Sequence, residues 1–122
     1  MSGCLFERLG GRDAVKATVV RFYEKILEDE LLIPFFEDVD MARLRASQTA
    51  FITMAFGGPH HYEGQHLRTA HFGLVKRGLS DVHFDRVAGH LVATLQELGV
   101  DAPMIDEALA IVATTRDDVL NR

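Results

Sequence analysis

The sequence predicts an all-α fold, and three observations carry that expectation. Apolar residues recur at three- and four-residue intervals through most of the chain, the signature of helices with one buried stripe. No run shows the strict apolar–polar alternation of a half-buried strand. Gly57-Gly58-Pro59 and Pro34 fall between periodic stretches, where glycine and proline end helices.

Taken in order, the first long segment follows Gly10-Gly11, with Asp13 as the expected cap. Val15, Val19, Phe22, Ile26 and Leu27 form its stripe. Pro34, in Leu32-Ile33-Pro34-Phe35-Phe36, marks a turn, because a continuing helix would lose a hydrogen bond there. Asp40 is the expected cap of a helix from Met41 to Phe56, stopped by Gly57-Gly58. The polar stretch His60 to Gln65 reads as irregular, and a short helix is expected from about His66 to Val75. Ser80 or Asp81 caps the next, from about Val82 to Leu98, with Gly99 just past its end. Asp101 opens the last helix, which tolerates Pro103 in its first turn and is expected to run to about Leu120. With no repeat, low-complexity tract or linker, the 122 residues are expected to make one domain, 1–122.

Composition removes several functions. A net charge of −5 offers no basic footprint for nucleic acid. No stretch approaches the apolar length a membrane helix needs. Met1 to Arg12 has no cationic region followed by an apolar run, so a cytoplasmic protein is expected. The lone Cys4 permits no intrachain disulfide. No His-x-x-x-His pair occurs, which disfavours a zinc site. Phosphate-loop and nucleophile-elbow motifs are also missing.

What remains are polar residues in apolar stripes. Gln48 interrupts Leu44, Phe51, Ile52 and Ala55, and a buried amide must find partners. Tyr23 adjoins the Val19–Phe22–Ile26 stripe. His71 shares a face with Leu67, Ala70, Leu74 and Val75. Each also has a plainer explanation: an edge glutamine bonded to a loop, a core tyrosine with its hydroxyl at the rim, a structural histidine. Phe22, Phe35, Phe36, Phe51, Phe56 and Phe84 fit a core, and equally a cavity for a flat aromatic cofactor.

The pieces gain meaning together. Phe6-Glu7-Arg8-Leu9-Gly10-Gly11, Phe22-Tyr23-Glu24, Pro34-Phe35-Phe36 and Val39-Asp40-Met41 come first. Gln48, Ala50-Phe51, Phe56-Gly57-Gly58-Pro59, Tyr62-x-Gly64 and Ala70-His71 follow. His83-Phe84-Asp85, Leu98-Gly99-Val100 and Asp118-Val119-Leu120-Asn121 complete the series. In that order the chain resembles a group 1 truncated haemoglobin over essentially its whole length. The resemblance implies a two-over-two helical sandwich, the first two long helices crossing the last two around haem b, which is iron protoporphyrin IX. It implies His71 as the iron ligand, through Nε2. Tyr23 and Gln48 become the distal pair that donates hydrogen bonds to a bound diatomic. Phe36 would pack on the porphyrin, with Leu44, Phe51, Ile52, Leu67, Phe84, Val87 and Val112 as further cofactor contacts. Arg43, Arg45, His66 and Arg68 are the candidates for the haem propionates.

Two positions depart from some relatives. Ser47 stands where a histidine can occupy the sixth iron site, so that site is expected open or water-bound. Thr115 stands near where a histidine can tether haem covalently, so non-covalent haem is expected. The implied ligands are O2, NO and CO, in a monomer that binds oxygen reversibly. The alternative is a nitric oxide dioxygenase, which would need an external reductase because the chain has no flavin or nicotinamide motif.

Overall fold

In the computed structural model the chain is described over residues 5–37, 39–58 and 64–122. Cys4, Pro59, His60, His61, Tyr62 and the side chain of His66 lie outside the described residues. Every regular element among the described residues is helical, as the periodicity predicts.

A four-residue helix α1, Leu5–Arg8, precedes α2, Gly11–Glu28. The chain reverses between them on Gly10, with φ 114°. Asp13 does not supply the expected side-chain cap. It sits inside the first turn, where its charge suits the helix dipole. A 3-10 turn, Ile33–Phe35, takes Pro34 in its first positions. The next helix, α3, covers Met41–Ala55, and Asp40 caps it by accepting the Ala42 amide at 3.2 Å.

Helix α4, Gly64–Lys76, starts two residues before the expected point. Helix α5 covers Asp81–Glu97, and its Ser80 amide donates to Nδ1 of His83 at 3.0 Å. The expected last helix is divided into α6, Ala102–Ala113, and α7, Arg116–Val119. At the break, the Thr114 and Thr115 hydroxyls donate to the carbonyls of Ile111 and Val112, at 2.6 and 2.7 Å. Side-chain bonds of this kind compete with the helical ladder.

Helix α2 packs on α3 and on α5, α5 packs on α6, and α3 packs on α6. The first two long helices therefore meet the last two, the crossing expected of a two-over-two sandwich. Phe22, Ile26, Ile52, Phe56, Leu91, Leu95 and Val112 fill the centre. Helix α4 stands beside this square and docks chiefly against α7. Among the described residues no helix is long and apolar enough to cross a membrane.

Candidate functional site

Helices α2 and α3 carry the candidate residues Tyr23 and Gln48. Asp40 and the glycine stop fix the register of α3, which turns Leu44, Gln48 and Ile52 inward and leaves Ser47 exposed. Phe51, half-buried, stacks on Phe22 with ring centres 5.5 Å apart and planes at 23°. Tyr23 is half-buried on α2, next to Phe22. Gln48 is only 6% exposed, and its Oε1 has no hydrogen-bond partner. A buried acceptor left in that state costs about 1–3 kcal/mol. Its capacity matches a polar molecule that the chain does not itself supply.

Helix α4 carries His71. Its Nδ1 lies 2.8 Å from the Leu67 carbonyl, one turn back. A carbonyl only accepts, so Nδ1 carries the proton and Nε2 carries the ring's lone pair. That is the tautomer a metal-ligating histidine adopts when a backbone carbonyl orients it. Among the described residues no group of three or more histidine, cysteine or carboxylate side chains could hold a metal ion. A single histidine suits an iron whose remaining in-plane ligands come from a porphyrin. The residues present therefore fit haem.

The expected apolar face of α4 is uneven. Leu67 is buried and Leu74 and Val75 are half-buried, but Ala70 is exposed, because α4 rests on α7 and stays outside the helical square. Phe72, 43% exposed, lies under the Lys76 ammonium at 4.6 Å.

The other sequence-derived positions fall as follows. Phe36 closes the 3-10 turn and packs half-buried against the core. Phe84 is buried beneath the Arg116 guanidinium, 4.4 Å from the ring centre. Val87 is half-buried on α5, and Val112 is buried in α6. Arg43 and Arg45 are exposed on α3. Arg68 is engaged elsewhere: Nε donates to Asp118 at 2.8 Å and Nη2 to the Arg122 carbonyl at 2.6 Å.

One cluster escaped the sequence reading. Asp29, at the end of α2, is buried and accepts two hydrogen bonds from Arg86, at 2.9 and 3.0 Å. His90 Nε2 lies 2.6 Å from the same carboxylate, and the Leu31 amide donates to it at 2.9 Å. The Arg86 guanidinium, above all, holds the Asp29 carboxyl well below the usual range, against the opposing effect of burial. Arg86 and His90 are 57 and 61 residues away in the chain, so no local pattern could disclose the cluster.

The family model of bacterial-like globins matches residues 4–121. A group 1 truncated haemoglobin of Synechocystis is 48% identical over 121 residues, covering 97% of this chain and 98% of that protein. One from Tetrahymena pyriformis is 43% identical over 118 residues, covering 97% and 95%. The crystal structure of a Synechococcus 2/2 haemoglobin, in the cyanomet state with covalently attached haem, superposes with a TM-score of 0.88. It shares 48% identity over 98% of this chain and 100% of its own. The ferric form of the Tetrahymena pyriformis protein gives 0.84 at 43% identity, covering 97% and 98%.

Proposed function

The chain belongs to the bacterial-like globin family as a group 1 truncated haemoglobin with haem as its cofactor, and we propose that His71 would ligate the iron while Tyr23 and Gln48 would donate hydrogen bonds to a diatomic gas bound by it. Haem in this site supplies an iron that takes dioxygen, nitric oxide or carbon monoxide reversibly. The observation that carries the ligand assignment is the hydrogen bond from His71 Nδ1 to the Leu67 carbonyl, which makes Nε2 the donor nitrogen.

The Tyr23 hydroxyl and the Gln48 carboxamide are both hydrogen-bond donors, and the amide presents its NH2 after half a turn about its last bond. Each bond to a polarised ligand adds about 0.5–1.5 kcal/mol, up to about tenfold in affinity. Dioxygen gains more from them than the less polar carbon monoxide. Haem is held non-covalently, since no histidine follows His90 and the Thr115 hydroxyl bonds to the Val112 carbonyl of α6. Acid-acetone should extract it.

Ultraviolet–visible spectra of the ferric and dithionite-reduced protein test this reading. A strong Soret band is expected, with one broad visible band on reduction, because Ser47 offers no sixth ligand. His71→Ala should weaken the Soret band or return it to free-haem character. An unchanged spectrum in that variant would remove His71 from the iron. The same polar pair also suits the oxidation of nitric oxide by dioxygen and one electron to nitrate. Sustained nitrate formation with a cellular reductase would make the protein a dioxygenase; a single turnover would leave it a reversible gas binder.

A further inference from the structure

Among the described residues, four helices end in one type of turn. In α3, α4 and α5 the turn residue is Gly57, Gly78 or Gly99, with φ of 71°, 107° and 77°. The following amide returns to the last turn in each: Gly58 to the Thr53 carbonyl at 2.9 Å, Leu79 to Leu74 at 3.0 Å, Val100 to Leu95 at 3.0 Å. This is the Schellman motif, which favours glycine at its left-handed position. Helix α7 ends the same way, with the Arg122 amide on the Asp117 carbonyl at 2.9 Å. Its left-handed residue, however, is Asn121, with φ 58°, the one positive-φ residue other than glycine among those described.

Asparagine tolerates that conformation better than most side chains, but glycine would serve the turn as well. What asparagine adds is a carboxamide, and its Nδ2 donates to the Arg68 carbonyl of α4 at 3.1 Å. Arg68 returns the contact through its guanidinium, to Asp118 at 2.8 Å and to the Arg122 carbonyl at 2.6 Å. The tail is itself anchored. Leu120 is buried in the core, and Arg122 grips Asp81 at the start of α5, at 2.7 and 3.1 Å. Arg68 directly follows Leu67, whose carbonyl orients the His71 ring.

We propose that Asp118, Asn121 and Arg122 clamp α4 through Arg68, which makes Asp118 and Asn121 positioning residues for His71. The clamp fixes α4 along and about its axis against α5, and thereby sets how the imidazole meets its metal. Partners behind a ligating histidine tune its bond in this way. The inference rests on the reading of His71 as haem ligand.

The test uses the haem-loaded full chain with Asn121→Gly, which keeps the left-handed turn and deletes only the amide, and with Asp118→Asn. Two quantities are measured: the iron–histidine stretch of the ferrous protein by resonance Raman, and amide hydrogen exchange along α4. Val100→Ala, past the far end of α5, serves as a control for general destabilisation. In both clamp variants the stretch should shift, and exchange over 68–76 should rise severalfold to about tenfold, as loss of one hydrogen bond implies. Val100→Ala should change neither selectively. The proposal is overturned if both clamp variants keep the wild-type stretch and α4 exchange, or if Val100→Ala moves them equally. A wild-type protein with no iron–histidine stretch would remove the haem reading of His71, and the positioning role with it. The α4 exchange data would then still show whether the tail grips the helix.

Discussion

The carboxamide of Gln48 has more hydrogen-bonding capacity than its surroundings use, and that imbalance gives the residue its expected effect on ligand release. Burying it costs free energy that a leucine of similar size would not incur. Gln48→Leu should therefore leave stability equal or improved while dissociation of dioxygen quickens, by up to about tenfold. Tyr23→Phe should act in the same direction. Stopped-flow displacement of dioxygen by carbon monoxide measures both, and unchanged rates in both variants would remove the pair from ligand binding. In the sequence, Gln48, Tyr23 and His71 stood out only as polar residues in apolar stripes. Their proposed roles came from the whole-chain resemblance, because periodicity shows which side a residue faces and not what it meets there. Asn121 was legible as part of a terminal motif without a role. Its partner Arg68 lies on another helix, 53 residues away.

Elements with a chemical signal at both ends were the ones the sequence located best. Helix α3 has Asp40 at its start and Gly57-Gly58 at its stop, and the structure uses both. Helix α1 was illegible as a periodic element, since four residues make barely one turn. The break between α6 and α7 was missed because nothing in the apolar pattern stops there; hydroxyls of Thr114 and Thr115 compete locally with the ladder. The stop of α3 also has a packing role. A Cβ on Gly58 would lie 2.4 Å from a ring carbon of Phe6. Gly58→Ala therefore forces the Phe6 ring or the end of α3 to move, at a cost of about 1–3 kcal/mol. Denaturant unfolding should show that loss, and Phe6→Leu in the same chain should recover part of it. A Gly58→Ala protein as stable as wild type would mean that α1 packs more loosely against this turn.

At the scale of the molecule, the two halves of the helical square are joined by apolar packing and, among the described residues, by ion pairs that include those on the buried Asp29 carboxylate. Asp29 closes α2, while Arg86 and His90 reach it from α5. The cluster also steadies the corner leading into the 3-10 turn, because the Asp29 carbonyl accepts the amides of Leu32 and Ile33. Its contribution depends on pH with a definite sign. In the unfolded chain Asp29 titrates near its ordinary 3.8, whereas in the folded chain Arg86 keeps it ionised to lower pH. Above about pH 5 both states are ionised and the full contribution is present. As pH falls through 3.8 the unfolded state takes up a proton first, and the contribution declines until the folded carboxylate is protonated too. Asp29→Asn should therefore cost about 1–3 kcal/mol at pH 7, the range for a buried polar group deprived of its partners. The gap to wild type should narrow at pH 3. Urea unfolding at pH 7, 5 and 3, measured on both proteins, checks this. A gap that stays constant over that range would mean that Arg86 does not hold the folded Asp29 carboxylate ionised to lower pH.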